Sequence, residues 1–287
     1  MHSQDYMLFS ENIGEYLSIY EVSLSQGELY TFVTNKNGRG KKGTLVASIK
    51  GTLSKDIIEV LEKLPLSSRK LVKEVTLDMA RNMETAVKSC FPDADLVTDR
   101  FHVVKLAIDA LQHVRVKLRW EEVDKENQAI QEAKNKGVKY ITIALKNGDT
   151  PKQLLARCRY ILAKKQSNWT ENQIVRAEIL FEQYPVLKQA YNHTMAFRNI
   201  YENKRLDTAK EQFESWINKS LNQNIKEFNT VANSLQYNLD NILNFFKNRN
   251  TNANAESFNS KIKLFRANLR GVTDTPFFLF RLQNLFA

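Results

Sequence analysis

The sequence predicts an α/β protein: a mixed sheet flanked by helices and interrupted by a long all-helical insertion. Three observations predict it. The first hundred residues alternate short β-rich runs with short amphipathic stretches. From about Phe101 to Asn241 the pattern changes to long helical segments. Beyond Asn248 one further amphipathic helix begins, rich in asparagine and basic residues.

The elements follow in order. Glu15–Val22 (EYLSIYEV), Leu29–Asn35 (LYTFVTN) and Thr44–Lys50 (TLVASIK) are rich in β-branched and aromatic residues. Gly27 separates the first two, and the turn-rich NKNGRGKKG separates the second pair, so three antiparallel strands are expected. A helix over Ser54–Leu64 follows, with Ser54 as its cap and Ile57, Ile58, Val60, Leu61 and Leu64 as its apolar face. Lys73–Leu77 is a fourth strand ending at Asp78. A helix over Met79–Cys90 stops before Pro92, and Leu96–Thr98 is a fifth strand ending at Asp99. The order is βββαβαβα, then the helical block. That block is read as Phe101–Lys136, Pro151–Lys165, Glu171–Tyr184, Pro185–Asn203, Thr208–Asn218 and Gln223–Tyr237. Pro151 and Pro185 stand at helix starts, and Tyr140–Leu145 (YITIAL) reads as extended. The expected organisation is a core over 1–104, an insertion over 105–245, and the rest of the core with its last helix over 246–287.

Composition narrows the function. The 287 residues are 43% hydrophobic, enough for a sizeable core, which excludes wholesale disorder. The net charge of +10 points to a polyanion, nucleic acid first. Cys90 and Cys158 are far apart and outside any CxxC pair, which speaks against a zinc site or disulfide framework and for a reducing cytoplasm. The sequence lacks an apolar run of membrane-spanning length and a secretory signal pattern, so no membrane partner is expected.

Asp78 and Asp99 each close a strand and open a helix. Such carboxylates lie where open α/β sheets bind ligands, although either can equally cap its helix. His102 falls three residues after Asp99, on the same helical face. In NRNTNANAESFNSKIKLFRANLRG (248–271), Phe258, Ile262, Phe265 and Leu269 form a core-facing stripe. Glu256, Asn259, Lys263, Arg266 and Arg270 form the opposite one. From Ile242 to the end there are seven basic residues against two acidic ones, a net +5 and half of the whole excess. A one-signed stripe containing Lys247, Arg249, Asn259, Lys261, Lys263, Arg266 and Arg270 suits a phosphate backbone. A lone acid at its head suits a metal ion. Carboxylates converging on divalent cations suit phosphodiester chemistry, in which ions about 3.5–4 Å apart activate the attacking oxygen and stabilise the leaving one.

These motifs together resemble the DDE transposases with a ribonuclease H-like catalytic core. More narrowly, the sequence resembles the ISL3 family of bacterial insertion sequences (the IS204/IS1001/IS1096/IS1165 group), and within it the Bacteroidetes ISAon1-like branch. The resemblance runs from about Glu15 onward. It rests on GELYTFVTNK (27–36), VTLDMARNM (75–83), VTDRFHVVKLA (97–107), NGDTPKQLLARCRYIL (147–162) and NRNTNANAESFNSKIKLFRANLRGV (248–272). It implies a ribonuclease H-like fold with the helical insertion ahead of the last catalytic helix. It makes Asp78 the second acid and Glu256 the third, both metal ligands, with Asp99 and His102 as an accessory D-x-x-H element. The implied reaction is Mg²⁺- or Mn²⁺-dependent nicking and strand transfer at insertion-sequence ends, with two ions in the active family. DNA is the implied partner, as transposon ends and target. A homo-oligomer on DNA and a cytoplasmic, nucleoid-associated location in a bacterium follow from the same resemblance.

One position departs from the family pattern. Where the family has its first acid, this sequence has Tyr20. Glu21 is adjacent but alternates to the other face of the strand. A phenol with pKa near ~10 is a poor Mg²⁺ ligand at neutral pH. The expectation is weak metal binding and impaired cleavage. No zinc-binding or helix-turn-helix module is read before the first strand; the resemblance to the ISAon1-like branch implies that such a region lies on a separate reading frame, so a separate N-terminal DNA-recognition protein is an expected partner. Two other readings stand beside the transposase: a catalytically inactive DNA-binding or assembly protein derived from one, and a host nuclease of the ribonuclease H type, for which the insertion is hard to explain.

Overall fold

The computed structural model describes residues 5–24, 28–223, 225–249, 253–269 and 274–287, with the backbone alone over 253–256. The chain divides into two compact units, Met1–Val103 with Asn238–Ala287, and Val104–Tyr237.

The first unit is built on strands β1 (Tyr6–Leu8), β2 (Tyr16–Ser23), β3 (Leu29–Asn35), β4 (Leu45–Lys50), β5 (Glu74–Leu77) and β6 (Asp95–Thr98). They form one six-stranded sheet in the order β1-β4-β3-β2-β5-β6. The pairs β1–β4, β4–β3 and β3–β2 are antiparallel, and β2–β5 and β5–β6 are parallel. The five expected strands are present. The sixth, β1, covers the β4 edge; with three residues it is too short to show a period. Parallel neighbours need crossovers. Helices α1 (Ser54–Leu61) and α2 (Leu66–Lys70) lie between β4 and β5, and α3 (Arg81–Cys90) lies between β5 and β6. Ser54 does not cap α1: it is already helical, with Leu53 at the cap position.

Strand alternation sends side chains to two cores. Leu17 and Ile19 of β2, Val33 of β3, Ile49 of β4, and Val75 and Leu77 of β5 pack with Ile57 and Leu61 of α1 and Met83 and Val87 of α3. The other face carries Tyr20, Val22, Tyr30 and Phe32 against the C-terminal helices.

The second unit holds α4 (Arg100–Asn135, which begins in the first unit), α5 (Pro151–Arg157), α6 (Arg159–Leu162), α7 (Glu171–Gln183), α8 (Pro185–Ile200), α9 (Leu206–Asn222) and α10 (Glu227–Tyr237). Pro151 and Pro185 take the first helical turn. Thr150 with Gln153 and Thr170 with Gln173 form capping boxes. One expected helix, Pro151–Lys165, breaks at Cys158 into α5 and α6. Tyr140–Leu145 is not a strand; it runs in irregular backbone with Ile141 and Ile143 almost fully exposed. Its alternation finds no neighbouring strand to pair with. Trp216 is buried as core, while Trp120 is 57% exposed. Cys90 and Cys158 are buried and unpaired.

The chain returns to the first unit as α11 (Leu239–Leu243), α12 (Phe245–Asn248), α13 (Ala253–Asn268) and α14 (Thr275–Phe286). Phe258 and Ile262 of α13 and Phe278, Leu279 and Leu282 of α14 cover the second face of the sheet. The predicted stripe of α13 holds at Phe258, Ile262 and Phe265, but Leu269 is 39% exposed. Among the described residues no helix is long and apolar enough to cross a membrane.

Candidate functional site

The parallel strands β5 and β6 end side by side, and each is followed by an aspartate. The ladder continues one step past them, since the Asp99 N–H donates to the Leu77 carbonyl at 2.8 Å. Asp78 is half-buried, and its Oδ1 accepts the Ala80 N–H at 2.9 Å. Helix α3 starts later, with Ala80 at its cap position, so Asp78 closes a turn ahead of the helix and does not cap it. Asp99 is 2% exposed. Its Oδ1 accepts the Phe101 N–H at 3.4 Å, and its Oδ2 lies 3.9 Å from Nε2 of the half-exposed His102.

Tyr20 occupies the same row. The β2–β5 register pairs Tyr16 with Glu74, Leu17 with Val75 and Ser18 with Thr76. Carried two residues past its last pair, that register sets Tyr20 opposite Asp78, which lies just beyond the end of β5. The Tyr20 ring stacks on Phe32 with centroids 6.2 Å apart. Its hydroxyl is buried without a hydrogen bond. Desolvation pushes its ionisation far above the ordinary tyrosine range, opposed by the nearby Thr34 side chain, whose contact falls short of hydrogen-bond geometry. Glu21 pairs with Thr31 of β3 and alternates to the opposite face.

Glu256 lies in α13 by its backbone, but its side chain falls outside the described residues, as does Arg270. Among the described residues no three His, Cys, Asp or Glu side chains come together to hold a metal ion. The described part of the site fits a divalent pair poorly. It offers the half-exposed Asp78 carboxylate and a neutral phenol at Tyr20, whereas a divalent cation prefers charged oxygen ligands.

A buried polar cluster on the same face escaped the sequence reading. Lys36, immediately after β3, bonds Glu74 Oε1 at 2.8 Å and the Thr76 hydroxyl. Both Lys36 and Glu74 are buried. Burial lowers the Lys36 pKa, opposed first by Glu74 and more weakly by Asp99. Asn248, the last residue of α12, donates to Glu74 Oε2 at 3.1 Å. Asn244 donates to the Leu96 carbonyl at 2.9 Å, and Lys247 bonds both Asp95 oxygens at 2.9 and 3.0 Å. The segment leading into α13 is thereby hooked to β5 and β6. The signal available was the polar alternation Glu74–Thr76 in a central strand; Lys36 itself lies in a stretch that reads as a solvated turn.

The basic residues of the C-terminal region divide. Lys247 is ion-paired, Lys261 donates to the Gly40 carbonyl at 2.6 Å, and Arg266 reaches the Ser23 carbonyl at 3.4 Å. Arg249 ends α12 in the left-handed region (φ 54°) with its guanidinium over Phe245 and Phe246. Lys263 is exposed. Asn259 Oδ1 is buried without a hydrogen bond.

A mixed sheet with acids at adjacent parallel strand ends, followed by helices that return over that face, is the frame on which the comparisons fall. The family model for ISL3-type DDE transposases, described as "Transposase", matches residues 17–282, and the chain belongs to that family. It is similar to the transposase for insertion sequence element IS1001 of Bordetella parapertussis, 25% identical over 276 residues. That match covers 95% of this chain and 61% of the relative's length.

Proposed function

We propose that this chain is the catalytic-core part of a DDE transposase, acting on DNA phosphodiester bonds at insertion-sequence ends, and that Tyr20 impairs it. The observation that supports the reading is the register: carried past Ser18–Thr76, it sets Tyr20 opposite Asp78, on the face that α13 covers. The strand order β4-β3-β2-β5-β6, antiparallel then parallel, supports a ribonuclease H-like core, and the helices of the second unit then form an insertion before α13. Asp78 and Glu256 are assigned as the remaining acids, with Asp99 and His102 beside them. Mg²⁺ or Mn²⁺ is the family's ion. A neutral phenol in place of a carboxylate leaves it weakly held.

The test is cleavage of DNA carrying the element's own ends, with Mg²⁺ or Mn²⁺ supplied. The unaltered chain is expected to show no divalent-dependent cutting above background. Tyr20→Asp is expected to raise it, Tyr20→Asn to leave it at background, and Asp78→Ala in the Tyr20→Asp chain to abolish it. Efficient cutting by the unaltered chain, or an equal gain from Tyr20→Asn, overturns the assignment of position 20. The second reading, a non-catalytic DNA-binding or assembly protein, rests on the same phenol. It gains ground if Tyr20→Asp stays silent while DNA binding persists.

A further inference from the structure

The helical unit carries a cationic cluster that the site above does not use. Gln112, Arg115 and Arg119 share one face of α4. That face meets the α5–α6 junction: Gln112 donates to the Arg159 carbonyl at 3.0 Å, and Arg115 Nη1 donates to the Leu155 carbonyl at 3.1 Å. Arg115 is buried, and its Nε bonds the Gln112 side chain at 2.6 Å. The other two guanidiniums each lie beside an exposed ring. Arg119 stands 6.0 Å from the Trp120 centroid, and Arg159 stands 5.5 Å from that of Tyr160. Trp120 is 57% exposed and Tyr160 70%.

Among the described residues none of these three arginines has a carboxylate partner. Carboxylates of the same unit are engaged elsewhere: Glu122 bonds Lys125, and Asp149 bonds Arg157 and Arg176. Arg119 Nε is buried without a hydrogen bond. The crowding is felt within the protein: burial first, then Arg159 and Arg119, lower the Arg115 pKa. Like charges held together without a counter-charge are costly until an anion arrives. Two large rings left in water beside them are not a solvated charged face. Guanidiniums for phosphates and aromatic faces for bases are the elements of single-strand recognition.

We propose that Arg119, Trp120, Arg159 and Tyr160 form a binding surface for single-stranded DNA, with phosphates on the guanidiniums and unpaired bases stacked on the rings. A duplex keeps its bases stacked on one another and offers the rings nothing. The role of the surface rests on the transposase reading, because a strand end freed by cleavage can unpair from its complement. The binding itself does not.

The experiment uses the full chain, a labelled mixed-sequence oligonucleotide, and the duplex it forms with its complement. Trp120→Ala and Tyr160→Ala are each expected to weaken single-strand binding by about fivefold to a hundredfold, with duplex binding held within about twofold. Tyr160→Phe keeps the ring and is expected to retain affinity. Arg119→Gln is expected to reduce the salt slope on the single strand by about 0.7. Both rings are exposed, so the alanine variants should melt like the parent. Absence of single-strand binding by the parent, unchanged affinity in both alanine variants, or equal losses on duplex each overturns the proposal. Cleavage by the Tyr20→Asp chain is scored separately, so a silent active site leaves this result readable.

Discussion

Burial holds two polar rings, Tyr20 and His193, in their neutral forms, with different consequences. The Tyr20 hydroxyl is buried with no hydrogen bond. An unsatisfied buried hydroxyl costs about 1–3 kcal/mol, so Tyr20→Phe is expected to leave stability unchanged or raise it by about 1 kcal/mol in urea unfolding. A marked loss would show that the hydroxyl has a partner in solution. His193 is stacked on Trp216, and its Nε2 is 2.7 Å from Ser220 Oγ. Ser220 donates its own proton to the Trp216 carbonyl at 2.9 Å, so His193 must donate from Nε2. Burial, then Lys219, lower its pKa from 6.5 to about 4. A folded pKa below the unfolded one means the unfolded chain binds the proton first. Stability from neutral His193 is therefore complete above about pH 6.5 and is lost as pH falls toward 4. After discounting for solvent near the ring, the loss is on the order of 2 kcal/mol. His193→Gln should flatten that part of the pH–stability curve; an unchanged slope would place the titrating group elsewhere.

At the scale of elements, α12 is hooked to β5. The centre of the hook is the buried Lys36–Glu74 pair, to which Thr76 and Asn248 are also bonded. Removing one partner of a buried pair strands the other's charge. Lys36→Met is expected to cost about 3–5 kcal/mol, and Lys36→Met with Glu74→Leu to recover most of it. A double variant no better than the sum of its parts would show that the two charges do not act as a pair. This cluster also marks where the sequence stopped being legible. The strands, α1, α3 and the acids at strand ends follow from period and from neighbours in the chain. Lys36 and Asn248 meet Glu74 across separations of 38 and 174 residues, and no local pattern joins them. Tyr140–Leu145 fails in the opposite way. Its local pattern is that of a strand, but alternation alone cannot supply a neighbour to pair with. The phenol at position 20 was legible only by resemblance, because Tyr is an ordinary strand residue; its loss of hydrogen bonding became visible only once Phe32 and α13 were packed against it.

At the scale of the whole molecule, the net charge of +10 is a statement about partners, and the C-terminal cations differ in what already holds them. Lys247 makes a half-exposed surface pair with Asp95, and Lys261 donates to the Gly40 carbonyl. Lys263 is exposed to solvent. Cations that neutralise phosphates release condensed counterions, and each contributes about 0.9 to the slope of log affinity against log salt on duplex DNA. Lys263→Gln is therefore expected to lower the duplex slope by about 0.9 with no change in melting temperature. Lys261→Gln removes a tie between α13 and the turn after β3, so it should lower the melting temperature first, by an amount corresponding to about 1–3 kcal/mol. Binding measured across a salt series, beside thermal melts, separates the two. If both variants shift the slope equally and neither shifts the melt, Lys261 is free in solution, and the basic stripe of α13 serves DNA as a whole instead of in part.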